Sequence, residues 1–271
     1  MQPFVKWVGG KRKVIDKYLH NMIPNDYDNY IEPFVGGGAM FFYLKPKKAI
    51  INDLNSELIT SYKEIKNNAD ELIEKLELLN QKKDKDNFLK IRETIEMDSL
   101  NIAARFIYLN KTAFNGMYRV NSKGKFNVPY NPNSINSNLF NKDNILSIKE
   151  YLNKNEISIF NKDYKKIFEK AKKGDFVFCD PPYDCEEGTK TFDSYTKEGF
   201  GQRGQKELAN MLYKLDEKGV KWMLTNHNTK LIKELYKKFN IIEITTDRMV
   251  NSNAEKRKGT GKEVVVTNYE Y

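Results

Sequence analysis

The sequence predicts an α/β protein whose sheet-forming halves are separated in the chain by a long, mostly helical insertion. Three observations carry that expectation. Short apolar runs that end in glycines or an acid stand near the start of the chain. Residues 56–110 repeat apolar side chains at helical spacing. Beyond a polar stretch at 114–144, apolar runs resume and alternate with amphipathic patterns. Strands alternating with helices are the pattern of a sheet with helical crossovers.

The elements follow in order. Residues 11–22 place Val14, Ile15, Tyr18, Leu19 and Met22 on one helical face, and Pro24-Asn25-Asp26 breaks the pattern. Residues 30–34 read as a strand running into Gly36-Gly37-Gly38. A helix at 39–44 stops before Pro46, and a strand at 49–52 closes on Asp53. Strand, glycine turn, helix, strand and acid open a nucleotide-binding α/β unit. From 56 to about 110 the apolar positions are helical, with Leu58, Ile59, Tyr62 and Ile65, then Leu72, Ile73, Leu76 and Leu79. The stretch 114–144 is rich in Asn, Gly, Pro and Lys, and residues 119–128 read as a β-hairpin around Gly124. A connection of this length is usually functional. Further strands are expected at 157–160, 175–179, 220–225, 241–246 and 264–268, with helices at 164–171, 205–218 and 229–239. The last two strands have only the polar loop 247–262 between them, so an antiparallel hairpin at a sheet edge is expected. The expected architecture is a Rossmann-like, seven-stranded mixed-sheet domain of residues 1–55 and 145–271. Residues 56–144 form an inserted, mostly helical domain that contains the hairpin.

Composition narrows the partners. With 46 Lys and Arg against 37 Asp and Glu, the formal charge is +9, and the pI is about 9.2. Such a surface attracts polyanions, although a lysine-rich composition also serves solubility alone. Cys179 and Cys185 are too few for a disulfide framework, and with two histidines no zinc-like spacing occurs. No run approaches the ~20 apolar residues of a membrane span. The opening Met1–Trp7 lacks the apolar stretch of a signal peptide, so a cytoplasmic protein without a membrane partner is expected.

The sharpest local signal is Asp180-Pro181-Pro182-Tyr183, directly after the apolar run 176–179. Ligands of open α/β sheets bind beyond the carboxyl ends of strands, where this segment falls. A rigid turn would account for the two prolines alone. Their pairing with Phe34-Val35-Gly36-Gly37-Gly38 and Asp53 points to a ligand site.

These motifs resemble the N6-adenine DNA methyltransferases of the α group, and the Dam type among them. The resemblance rests on Lys6-Trp7-Val8-Gly9-Gly10-Lys11, on Glu32 to Gly38, on Asp180 to Tyr183, and on two motifs in the insertion. Those two are Asn115 to Asn121, with Arg119 inside, and Phe126 to Pro129. It implies S-adenosylmethionine as cofactor and double-stranded DNA as partner. It further implies a monomer in solution, with any cognate restriction endonuclease acting separately. Asp180, Pro181, Pro182 and Tyr183 become the catalytic set. The cofactor set is Trp7, Lys11, Phe34, Gly36, Gly38, Asp53, Asp163, Tyr164 and Asp180. Asp53 is expected on the ribose hydroxyls, although the first helical turn after it would also suit an N-cap. Lys11 is expected on the methionine carboxylate, Trp7 against the cofactor, and Asp163 and Tyr164 beside its adenine.

Adenine N6 is a weak nucleophile because its lone pair is delocalised into the ring. Hydrogen-bond acceptors at Asp180 and the Pro181 carbonyl would favour a pyramidal nitrogen and aim it, and Tyr183 would stack on the extruded base. Neither cysteine follows a proline, which excludes the prolyl-cysteine nucleophile of C5-cytosine methylases. In the insertion, Arg119 is the expected guanine reader, with Phe114, Asn115, Met117, Asn121 and Pro129 nearby and Lys6 adding a contact. Matched positions in the Dam type read GATC, the expected target. Tyr130-Asn131-Pro132-Asn133 departs from the pattern and leaves one edge of the site open. The run Lys256-Arg257-Lys258 suits a phosphate contact and a solvated loop equally. Two other readings remain. One is a methylase of structured RNA or of a protein amide, which usually carries Asn at the place of Asp180. The other is a DNA-binding protein without catalysis.

Overall fold

In the computed structural model, residues 1–185, 200–247 and 260–271 are described, and the run Lys256-Arg257-Lys258 lies outside them. The strands are β1 (Tyr30–Glu32), β2 (Lys48–Asn52), β3 (Glu156–Phe160), β4 (Phe176–Cys179), β5 (Lys221–His227), β6 (Asn240–Asp247) and β7 (Thr260–Thr267). They form one mixed sheet in the order β3-β2-β1-β4-β5-β7-β6. β1 pairs in parallel with β2 and with β4, and β4 with β5 in the register Val177 to Trp222. β7 runs antiparallel to β5 on one side and to β6 on the other. The antiparallel pair expected from the sequence is therefore present, with β6 outermost. The strand order changes direction at β1 and β4, the place where open α/β sheets leave a crevice at their carboxyl ends.

The helices are α1 (Arg12–Lys17), α2 (Ala39–Leu44), α3 (Ser56–Asn67), α4 (Ala69–Asn80), α5 (Lys85–Glu93) and α6 (Ser99–Thr112). They continue with α7 (Lys142–Lys154), α8 (Tyr164–Phe168), α9 (Gly201–Glu217) and α10 (Lys230–Leu235). The helical stretch 56–110 is thus four helices, and short polar residues set the starts of three. The side chains of Asn55, Asp84 and Asp98 accept from the backbone N–H of Leu58, Asn87 and Asn101. α7 is a helix that the sequence reading did not name. Asn141 caps it, and Ile145, Ile148, Tyr151 and Leu152 form its buried stripe. The hairpin at 119–128 is present in reduced form, with one bridge between Val120 and Phe126 and a turn at Gly124, φ +74°.

The chain divides into two compact units. One comprises residues 1–10, 35–47 and 52–161, the other 11–34, 48–51 and 162–271. In the first, α6 packs against α3, α4 and α5. A cluster of Phe88, Tyr108, Leu109, Ala113, Phe126, Val128 and Leu139 seats the hairpin on this helical layer. In the second, Tyr30, Phe176, Phe178, Trp222 and Tyr236 are fully buried around the sheet. Each such aromatic carries a penalty of about 3–5 kcal/mol for truncation to alanine.

Candidate active site

In the second unit, all four residues of β4 are buried, and the strand ends where Pro181 and Pro182 withdraw their N–H groups from the ladder. Asp180 is delivered at that end, half-buried. Its Oδ1 lies 3.0 Å from Lys11 Nζ and accepts from Thr225 Oγ1 at 2.6 Å. Among the described residues its Oδ2 makes no hydrogen bond. The Lys11 side chain is only 6% exposed, and its ammonium also stands 4.6 Å above the Tyr183 ring. A buried ammonium needs such a partner, and here Asp180 meets that need.

Tyr183 donates its hydroxyl to Glu263 Oε2 at 3.1 Å, and its ring meets His227 edge to face at 4.8 Å. Burial, with the Asp180 and Glu263 carboxylates adding, pushes the phenol well above its ordinary range, so the ring is neutral. The loop is held from behind by two buried amides. Gln205 Nε2 donates to the Pro182 carbonyl at 2.8 Å, and Asn226 Nδ2 donates to Gln205 Oε1 at 3.0 Å. Asn226 Oδ1 in turn accepts from the N–H groups of Asp184 and His227.

Beyond β1, Phe34 lies 5.0 Å from the Tyr164 ring and 6.0 Å from that of Phe200. Among the described residues the buried Tyr164 hydroxyl has no hydrogen-bond partner. Asp163 caps α8 by accepting from Lys165 N–H.

The first unit holds the glycine turn. Gly36 (φ +48°) and Gly38 (φ +75°) adopt left-handed conformations. A Cβ on Gly36 would lie 2.6 Å from the Trp7 indole nitrogen, and one on Gly38 would lie 2.5 Å from the Tyr62 hydroxyl. Both glycines are therefore required by the protein's own packing. The Trp7 indole lies on Gly36 and Gly37, and the Tyr118 ring stacks at 6.3 Å and the Phe106 ring lies at 6.5 Å from it. Asp53 Oδ2 accepts from Gly36 N–H, and Oδ1 from Asn55 N–H. The N-cap of α3 is Asn55, so Asp53 is not spent on that role. Burial raises the Asp53 pKa against the opposing pull of those backbone N–H groups.

Of the residues expected to read DNA, Lys6, Phe114, Asn115, Asn121 and Pro129 are exposed, and Met117 and Arg119 are half-buried. The Arg119 guanidinium is steadied by Asn127, whose Oδ1 accepts from Nε at 2.7 Å. Asn121 is engaged in its own turn, accepting from Lys123 and Lys125 N–H. Pro129 offers its carbonyl to Phe114 N–H at 2.8 Å. The sequence reading passed over Thr225, Gln205, Asn226 and Glu263. One signal was available: Thr225 and Asn226 are polar residues that continue an apolar strand run, at the strand end where ligands gather. No described helix is long and apolar enough to cross a membrane.

Known proteins share this plan. The model of the family described as D12 class N6 adenine-specific DNA methyltransferase matches residues 7–250. The chain is 43% identical to the type II methyltransferase M1.LlaDCHI of Lactococcus lactis subsp. cremoris, over 99% of this chain and 96% of the relative. It is 38% identical to the type II methyltransferase M.MjaIII of Methanocaldococcus jannaschii, over 99% of each. A DNA adenine methylase of Haemophilus influenzae is 31% identical, over 94% of this chain and 90% of the relative. With the Asp-Pro-Pro-Tyr loop at a strand's carboxyl end and a family match over most of its length, the chain belongs to the D12 class N6 adenine-specific DNA methyltransferases.

Proposed function

We propose that this enzyme takes its methyl group from S-adenosylmethionine and places it on N6 of an adenine swung out of double-stranded DNA, within GATC. The observation that carries the reading is the asymmetry of Asp180. One oxygen is fixed by Lys11 and Thr225, and among the described residues the other makes no hydrogen bond. A carboxylate anchored through one oxygen offers the second as an aimed acceptor. Oδ2 and the Pro181 carbonyl accept the two N6 protons, which turns the nitrogen lone pair out of the ring plane. The neutral Tyr183 ring supplies a stacking face for the extruded base.

The residues present suit the cofactor. Tyr164 carries a buried hydroxyl that has no partner among the described residues, beside Phe34, and a purine edge between them would satisfy it. Asp53, held by two backbone N–H groups, keeps lone pairs for ribose hydroxyls. Trp7, Gly36 and Gly38 shape the turn beside it, and Asp163 fixes the start of α8. When bound, S-adenosylmethionine supplies an electrophilic sulfonium methyl group. Lys11, whose ammonium is on Asp180, serves the catalytic carboxylate as well as any cofactor carboxylate.

GATC is supported by the Dam-type motifs at 115–121 and 126–129, with Arg119 on a guanine. The type II names of two relatives favour a cognate endonuclease acting as a separate protein. A cytoplasmic monomer fits a basic chain of this size.

Transfer of tritiated methyl to GATC duplexes tests the reading. Asp180→Ala, shown folded by circular dichroism, is expected to fall at least about 100-fold, the scale on which the loss of one aimed hydrogen-bonding group is felt in other active sites. Asp180→Asn should retain more. Turnover of Asp180→Ala near wild type would overturn the mechanism, and equal rates on duplexes with any base pair of GATC replaced would remove the target.

A further inference from the structure

Asn110 stands in the last turn of α6, is fully buried, and has no part in the residue set expected from the motifs. Both polar atoms of its side-chain amide are bonded. Oδ1 accepts from Lys6 N–H at 2.9 Å, and Nδ2 donates to the Lys6 carbonyl at 2.8 Å and to the Gly116 carbonyl at 2.9 Å. Bonding to both the N–H and the C=O of one residue copies what a neighbouring β-strand provides, so the Lys6 backbone is fixed in position and rotation. The third bond ties the same amide to the turn Phe114–Gly116.

That turn is a built feature. Asn115 (φ +54°) and Gly116 (φ +64°) are consecutive left-handed residues, a rare conformation for a residue other than glycine. A Cβ on Gly116 would lie 2.4 Å from the Lys6 Cβ, so the two segments meet at a distance only glycine allows. Lys6, Phe114 and Asn115 are nevertheless exposed. A fully buried amide thus holds together three side chains that face solvent.

We propose that Asn110 is a positioning residue of target recognition, locking Lys6 in register with the Phe114–Met117 segment so that both meet the DNA as one surface. The inference rests on the reading of Lys6 and this turn as DNA contacts. An amide with a merely structural role would lower stability and lower activity evenly on every duplex. A positioning amide changes which duplex is preferred.

The experiment is a panel of duplexes with single base-pair changes in and beside GATC, assayed with wild type, Lys6→Met, Asn110→Ser, Asn110→Asp and Gly116→Ala. S-adenosylmethionine affinity is followed in parallel by calorimetry. Lys6→Met is expected to lose about tenfold discrimination at one base pair. The Asn110 variants should lose discrimination at that same base pair, with cofactor affinity within about twofold of wild type. Combining Lys6→Met with Asn110→Ser should add nothing there, because both remove one contact. Asn110→Asp leaves two carbonyls facing a carboxylate and is the severe variant. Asn110→Ser and Gly116→Ala carry the test if it does not fold. An even loss across the panel for Asn110→Ser and Gly116→Ala, with Lys6→Met still selective, overturns the positioning role. A Lys6→Met enzyme unchanged at every position overturns the reading of Lys6 beneath it.

Discussion

Lys111, next to the amide that grips Lys6, is a charge the fold holds at a loss. Burial, with repulsion from Lys6 adding to it, brings its ammonium down from 10.5 to about 8. The sign of the linkage follows. Between about pH 8 and 10.5 the unfolded chain keeps the proton and the folded chain does not, so stability rises with pH across that window. Below pH 8 both states are protonated, and the folded state bears the whole cost of the half-buried charge. Lys111→Met is therefore expected to stabilise the protein by about 1–2 kcal/mol at pH 7 and to flatten the rise toward pH 10. Urea unfolding at pH 7 and pH 9.5 checks this, and an unchanged difference between the two pH values would count against it. Single residues are legible in the sequence where they stand in a short, contiguous motif. The proposed roles of Asp180, Tyr183, Gly36 and Asp53 rest on motifs of that kind. That of Asn110 does not, because its partner Lys6 is 104 residues distant and nothing local marks the pair.

At the scale of elements, the Asp-Pro-Pro-Tyr loop is braced by side chains from two others. Gln205 comes from the first turns of α9 and Asn226 from the end of β5, and together they fix the Pro182–Asp184 backbone. Gln205→Met leaves a buried carbonyl and a buried amide group unpaired, each worth about 1–3 kcal/mol. The loop is then free to drift, and kcat is expected to fall about 10-fold or more with cofactor affinity retained. Fluorescence of 2-aminopurine at the target base separates poor stacking from poor chemistry. A Gln205→Met enzyme with wild-type kcat would show the brace to be dispensable. Elements themselves were read well where the period is strong, as in the apolar strands and in α3 and α4. α7 is regular, with its stripe at 145, 148, 151 and 152, but lies where the pattern between the polar stretch 114–144 and the strand at 157 names no element. The hairpin at 119–128 was legible from its turn residues, but its reduction to one bridge was not. Phe126 both pairs with Val120 and, with Val128, packs in the core cluster beneath α6.

Across the molecule, seven strands were legible and their order in part. Apolar runs announce strands, and helices between them announce parallel neighbours. Nothing in the pattern of 240–267 says which member of the final pair lies inside. That choice falls to β7, whose Val264, Val265 and Val266 are fully buried and each contribute about 1.5–3 kcal/mol. Its position has a consequence for synthesis on the ribosome. β6 is made before β7 but reaches the sheet only through it, and β5 keeps an open edge until β7 has emerged. An unpaired edge of this kind is a template for wrong pairing between chains. Chains that end before residue 260 and are tethered to the ribosome through a linker spanning the exit tunnel are therefore expected to be cut by protease within 240–247 and to aggregate on release. Chains stalled with residues 260–267 clear of the exit tunnel should resist both. Equal protease sensitivity of the two would mean that β6 finds another shelter. In this fold the interval between the emergence of β6 and that of β7 sets how long the nascent sheet stays exposed.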